Sequence, residues 1–211
     1  MNYCRELLAM GLEPDCLANP KGYLAEGIII NWDDVEWPLN SSHFGNGAIA
    51  SLPLKSGKKG YLLKQLGIQP FNGTTVTLNA PTNNMPGTAT SAVSFRVPQN
   101  SPAITSGFID KMMNGRFIVI LRQPIVSERY INGSVPDASE SGFPIFGLFQ
   151  GLRLSEGSLD RYSDDTGGGW TLTLTESESP MSGVFLGPDY DTGQAVWDSL
   201  LTEASAVADG E

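Results

Sequence analysis

The six residues Trp170-Thr171-Leu172-Thr173-Leu174-Thr175 alternate without a break between apolar and hydroxylated side chains. A period of two sends Trp170, Leu172 and Leu174 to one side of an extended chain and the three threonines to the other, a pattern that no helix satisfies. The segment from Thr88 to Val97 ends the same way, with Val93, Phe95 and Val97 opposed to Ser94 and Arg96. Both segments are therefore expected to be half-buried strands. A third segment, Gly27-Ile28-Ile29-Ile30-Asn31-Trp32, has no alternation and is closed by Asp33-Asp34; its β-branched run reads as a well-buried strand.

The rest of the chain fits around these strands. With 24 Gly and 14 Pro but only 17% charged residues, it has many turns between short apolar runs and few long solvated helices, which favours an all-β domain. Asn46-Gly47 precedes an apolar run over 49–54, and Asn72-Gly73 follows one over 61–66; Asn-Gly tolerates the positive φ of a two-residue turn, so residues 60–79 are expected to form a hairpin. Ser101-Pro102 starts a helix with Ile104, Phe108 and Met112 four apart, and Gly115 is expected to end it in the left-handed conformation. Strands follow over 116–121, 144–149 and 151–154, and an acidic, glycine-rich loop over 156–169. Asp191 to Gln194 has capping-box spacing ahead of an apolar stripe of Val196, Trp197, Leu200, Leu201 and Ala204 on a C-terminal helix. The expected organisation is one domain over 1–211 with an N-terminal arm (1–25), a long polar loop (123–142) that is mobile in the free subunit, and a C-terminal helix and tail (192–211).

The net charge of −10 is unevenly spread. Residues 1–155 hold 12 Lys/Arg and 11 Asp/Glu, whereas residues 156–211 hold 1 and 12, so the acidity belongs to the C-terminal quarter. That balance disfavours tight nucleic-acid binding through phosphates. Two cysteines, Cys4 and Cys16, are too few for a disulfide framework; the sequence leaves a single bridge between them open, with buried reduced thiols the expected state. No run is apolar for long enough to span a bilayer as a helix, and no leader-like segment opens the chain, so synthesis and residence in a cytoplasm are expected.

Catalytic chemistry finds little footing. The only histidine, His43, sits in a turn-like stretch, and no GxSxG elbow places a serine beside it. The carboxylate pairs Asp33-Asp34, Asp164-Asp165 and Asp189/Asp191 keep open a hydrolase that uses paired carboxylates, although an EF-hand is excluded by Gln194 and Leu200 at its glycine and glutamate positions. Trp32, Trp37 and Tyr130 keep open a carbohydrate-binding β-sandwich. The stretch Lys55-Ser56-Gly57-Lys58-Lys59-Gly60 lacks the spacing of a phosphate loop and reads as a solvated turn or a docking patch for an acidic partner.

In chain order, several segments together resemble the tail tube or tail ring subunits of phages infecting Bacteroidetes-type hosts. They are Gly11 with Asp15-Cys16, the stretch from Gly27 to Val35, the strand-helix-strand from Val93 to Val119, Phe146 to Leu152, and the glycine-rich entry into Trp170–Thr175 with Pro180 and Val184-Phe185 beyond. The resemblance implies a β-sandwich or rolled sheet with one internal and one C-terminal helix. It further implies rings, usually hexameric, stacked around a channel for DNA in a virion tail that is assembled in the bacterial cytoplasm. Partners would be copies of the chain, adjoining tail or neck proteins, and DNA in transit without tight binding; no cofactor, metal, catalysis or membrane insertion is implied. The basic stretch over 55–64 and the loop over 123–142 lie outside the matched pattern; the charge asymmetry makes Lys55, Lys58, Lys59 and Lys64 the expected inter-subunit contacts. Asp160, Asp164, Asp165, Glu176 and Glu178 are expected at the lumen or between rings.

Overall fold

The computed structural model describes residues 22–39, 44–45, 47–67, 69–82, 86–124, 142–164, 166–181 and 183–202. Cys4, Cys16, His43, Tyr130, Asp165, the loop over 125–141 and the tail over 203–211 lie outside them, as does most of the N-terminal arm.

Among the described residues, eleven strands form two sheets. They are β1 (Glu26–Asn31), β2 (Phe44–Gly45), β3 (Ala48–Ile49), β4 (Tyr61–Lys64), β5 (Thr75–Asn79), β6 (Thr88–Val97), β7 (Phe117–Leu121), β8 (Pro144–Phe146), β9 (Arg153–Leu159), β10 (Trp170–Ser179) and β11 (Val184–Leu186). The larger sheet has the order β2-β3-β11-β8-β7-β1-β4 and the smaller β5-β6-β10-β9. Only the β11–β3 pairing is parallel among the described strands.

Both faces of the larger sheet are covered, and this explains its continuous apolar runs. β1 and β7 pair Ile28 with Ile120, Ile29 with Val119 and Ile30 with Ile118. Ile28, Ile30, Ile118 and Ile120 pack with Trp197 and Leu200 of the C-terminal helix α3 (Tyr190–Leu200), while Ile29, Phe117, Val119 and Leu121 pack with Val93, Phe95, Leu172 and Leu174 of the smaller sheet. Strands with an apolar partner on each side lose the period-two signal and keep the β-branched one. β6 and β10 have only one covered face, hence their alternation. Ala89, Val93, Phe95, Leu172 and Leu174 are buried, and on the other face the Ser94 and Thr173 hydroxyls meet at 2.9 Å.

Several local expectations are corrected. Residues 60–79 do not form a hairpin, because β4 joins the larger sheet and β5 the smaller. Between them the buried Gln65 donates its backbone N–H to Ala25 O, and its side-chain amide clamps the Arg96 backbone, with Nε2 donating to Arg96 O at 3.0 Å and Oε1 accepting from Arg96 N at 2.8 Å. The chain thus crosses between sheets, and Asn72-Gly73 turns only the end of that crossing. An Asn-Gly hairpin position is instead met at Gly47 (φ +76), between the paired β2 and β3.

The internal helix starts as expected, with Ser101 Oγ accepting from Ile104 N, but it runs as α1 (Pro102–Ile104), a π-helical turn (Thr105–Ile109) and α2 (Asp110–Asn114). The wide turn brings Ile109 into the core beside Met112 and leaves Ile104 and Phe108 half-buried. Gly115 is extended (φ −87), not left-handed; glycine is needed there because a Cβ would collide with the Phe117 ring. The strand expected over 144–149 stops at Phe146, and β9 continues to Leu159, so the acidic loop begins at Asp160. The cap of α3 is Asp189, whose carboxylate accepts from Thr192 N at 2.8 Å and Thr192 Oγ1 at 3.0 Å. These bonds hold the Asp189 carboxyl below the ordinary aspartate range.

Two outcomes follow from the packing. Ile120→Ala, which opens a cavity at a fully buried site, should cost about 2–5 kcal/mol, whereas Ser158→Thr on the exposed β9 should stay within about 0.5 kcal/mol; urea midpoints measure both. Gly193→Ala should destabilise by about 1–3 kcal/mol despite the better helix former, because its Cβ would lie 2.6 Å from both Leu186 O and the Phe143 ring.

Candidate functional site

The acidic turn after β1 is closed on itself. Asn31 Nδ2 donates to Asp34 Oδ2 at 2.8 Å, Lys58 Nζ lies 3.2 Å from Asp34 Oδ1, Lys55 Nζ donates to Asp33 O at 2.7 Å, and Arg116 pairs with Asp33. Each carboxylate therefore has its own cation instead of facing its neighbour across a substrate. The Arg116 guanidinium also sits 4.1 Å from the Trp32 ring centroid, and Trp32 stacks on Trp37 at 4.6 Å. Trp32 Nε1 donates to Leu148 O, and Trp37 Nε1 donates to Trp32 O. The two tryptophans brace the turn, and their stacking surface is engaged within the chain. The most exposed aromatic described is Tyr162, in the loop after β9, which no sequence pattern singled out.

The four lysines do not form one patch facing outward. Lys55 and Lys58 fold back on the acidic turn, Lys64 lies on β4 at 3.4 Å from Glu26, and Lys59 is half-buried before Gly60. Exposed pairs such as Lys64–Glu26 are worth about 0–1 kcal/mol.

The acidic candidates separate as well. Asp160 Oδ1 accepts from Tyr162 N at 2.9 Å and shapes the loop, Asp164 is exposed, and Glu178 is exposed at φ +58 beside an irregularity in the β10–β6 ladder. Glu176 is a correction. It continues the inward parity of Leu172 and Leu174, is only 3% exposed, and accepts the N–H groups of Phe149 (3.0 Å) and Gln150 (2.6 Å) at Oε1. It organises the β8–β9 turn, where Gly147 and Gly151 both have positive φ, and is too buried to line a lumen. Burial raises its carboxyl above the ordinary range, against the pull of the surrounding N–H groups.

What remains open to a partner is backbone. β5 is exposed at all five positions and bonds to β6 on one side only, with no described strand on the other. Soluble monomers blunt such edges with Lys, Pro or a bulge. β5, Thr75-Val76-Thr77-Leu78-Asn79, has none of these, and Val76 and Leu78 are 44% and 70% exposed. The opposite edge, β9, carries Arg153, Glu156 and a register shift against β10. β4, at the edge of the larger sheet, exposes Tyr61 and Leu62. Between β5 and β9 the outer face of the smaller sheet carries many hydroxyls, including Thr75, Thr77, Thr90, Ser94, Thr173 and Ser158, with Arg96, Arg153 and Glu156 among them. Among the described residues no group of His, Cys, Asp or Glu could hold a metal ion.

Because the folded carboxyl of Glu176 is raised, its ionisation opposes folding above that titration. Stability should rise as the pH is lowered from neutral through it, until other carboxylates protonate. Glu176→Gln, which keeps the Oε1 acceptor, should match or exceed the wild-type Tm at pH 7 and lack that rise; thermal unfolding from pH 4.5 to 7.5 checks it.

Comparison with known protein-family models, curated proteins and solved structures finds no match to this chain.

Proposed function

We propose that this protein is a non-enzymatic structural subunit that assembles with copies of itself through its strand edges, as a ring or tube of the phage tail kind. The observation that carries the reading is β5, an unprotected edge strand exposed at all five positions, with two exposed apolar side chains. Pairing of β5 with the β9 edge of the next copy is a heterologous contact, and repeated around an axis it closes a ring. The smaller sheets then form one continuous wall, and the face left to a channel is rich in Thr and Ser. Neutral hydroxyls pair with water and release no counterions from DNA, and with Arg96 and Arg153 the only cations among the described strand residues of this face, beside Glu156, a duplex meets few phosphate contacts there. The resemblance of the sequence to tail tube and tail ring subunits gives the DNA channel and the hexamer; the edge strand gives the cohesion.

Negative-stain images and light scattering of the purified protein test this reading. Rings or tubes are expected, and because Lys58 pairs within the chain, they should persist in 1 M salt, where the screening length is about 3 Å. Val76→Lys together with Leu78→Lys should abolish them while the far-ultraviolet circular dichroism is kept, since both positions are exposed. A wild-type monomer at high concentration, or normal assembly by the double variant, would overturn the reading.

A further inference from the structure

The two sheets do not close on each other along β5. Val76 and Leu78 pair with Ser91 and Ala89 of β6 and so share their inward face, yet Ser91 and Ala89 are buried while Val76 and Leu78 are open to solvent. The opening leads to a cleft of about 170 Å³. Its apolar wall is formed by Ile145, Phe146, Phe149, Met181 and Val184, with Val76 at the mouth.

Tyr23, Gln123 and Ser179 also line this space, but the two polar groups that stand together on its inner face are Ser91 and Glu176. Ser91 and Glu176 are cross-strand partners in the β6–β10 ladder, so their side chains stand next to each other on the inner face. Ser91 is 7% exposed, and its Oγ is buried without a hydrogen-bond partner. Glu176 is 3% exposed, its Oε1 accepts the Phe149 and Gln150 N–H groups, the Gly147 and Gly151 N–H groups also favour its carboxylate, and no ion pair to it occurs among the described residues. Tyr23 is the other titratable side chain lining the cleft. A buried carboxylate without a cation and a buried hydroxyl without a partner are each costly, and here they lie side by side in one cleft.

We propose that this cleft binds an alkylammonium group: the cation pairs with Glu176 and donates to Ser91 Oγ, and its apolar stem lies along Phe146, Phe149 and Met181. An ammonium supplies what both groups lack, a positive charge for the carboxylate and an N–H donor for the hydroxyl. An anion is rejected by Glu176. A neutral apolar body fills the walls but leaves the polar pair unsatisfied. An apolar cavity of about 150 Å³ accepts a benzene-sized body, which sets the scale of the stem.

Benzylamine, benzyl alcohol and benzoate share that body and differ only in the head group. Titration calorimetry and ligand-detected NMR at pH 7.5 should show benzylamine binding at least about tenfold more tightly than benzyl alcohol, and no binding of benzoate. Glu176→Gln keeps the Oε1 acceptor and should reduce benzylamine to the level of the alcohol. Ser91→Ala should weaken benzylamine several-fold while raising the Tm of the free protein, because it removes the unpartnered hydroxyl. Light scattering in saturating benzylamine separates the two sources of such a group. Dissociation of assembled protein assigns it to a lysine of a neighbouring copy, and an unchanged mass assigns it to a free amine; either result supports the site. Equal affinity for benzylamine and benzyl alcohol, undiminished benzylamine binding by Glu176→Gln, or no binding at millimolar concentration would overturn it.

Discussion

The fold depends on the pairing of β1 with β7, two strands apolar on both faces. Ile28, Ile29 and Ile30 against Ile120, Val119 and Ile118 create a ribbon that no single layer can hide. At about 25 cal/mol per Å² of buried apolar surface, leaving either face wet costs more than the marginal stability of a domain allows. One face is therefore covered by α3 through Trp197 and Leu200, and the other by β6 and β10 through Val93, Phe95, Leu172 and Leu174. The glycines beside this ribbon follow from the same crowding. A Cβ on Gly60 would lie 2.5 Å from Ile28 Cγ2, and Gly60 N donates to Leu200 O at 2.7 Å, so the end of α3 is fastened to the turn that opens β4.

The smaller sheet is a cover and extends beyond what it covers. β6 and β10 lie over the larger sheet, but β5 projects past it, which leaves Val76 and Leu78 exposed on an inner face. An edge strand without Lys, Pro or a bulge is an aggregation risk in a monomer and an asset in a subunit that polymerises. The same overhang explains the cleft beneath it, where Ser91 and Glu176 are shielded by neighbouring backbone without being closed off.

The parts of this architecture legible in the sequence were those carried by short-range periodicity. The alternation in Trp170–Thr175 and Val93–Val97 identifies one-sided strands, and the isoleucine run identifies a strand buried more completely. Which sheet a strand joins is not periodic information: the Asn-Gly after β4 suggests a hairpin, and only the clamp of Gln65 on Arg96, 31 residues away, sends β5 to the other sheet. The place of Glu176 was within reach, because it extends the parity of Leu172 and Leu174 by one step. Its charge suggested the surface, but the N–H groups of Phe149 and Gln150, remote in sequence, provide for it inside. Asp33 and Asp34 were visible as a pair; their cations, Arg116 and Lys58, lie on other elements and are joined to them only by the fold.

These contacts change how the charge asymmetry bears on assembly. The acidic C-terminal quarter and the basic stretch over 55–64 invite an account in which one copy's lysines meet another's carboxylates. Within the subunit, however, Lys58 is paired with Asp34, Lys64 with Glu26, Glu176 is buried, and Asp189 caps a helix, so less free charge remains on either side of such a contact than the sequence suggests. Exposed ion pairs add about 0–1 kcal/mol each and steer encounter more than they hold a contact. A paired strand edge instead satisfies a row of backbone donors and acceptors and buries apolar side chains in the same step. In the proposed assembly, cohesion therefore falls to β5, and the remaining acidic residues would keep the assembled surface soluble and repel phosphates.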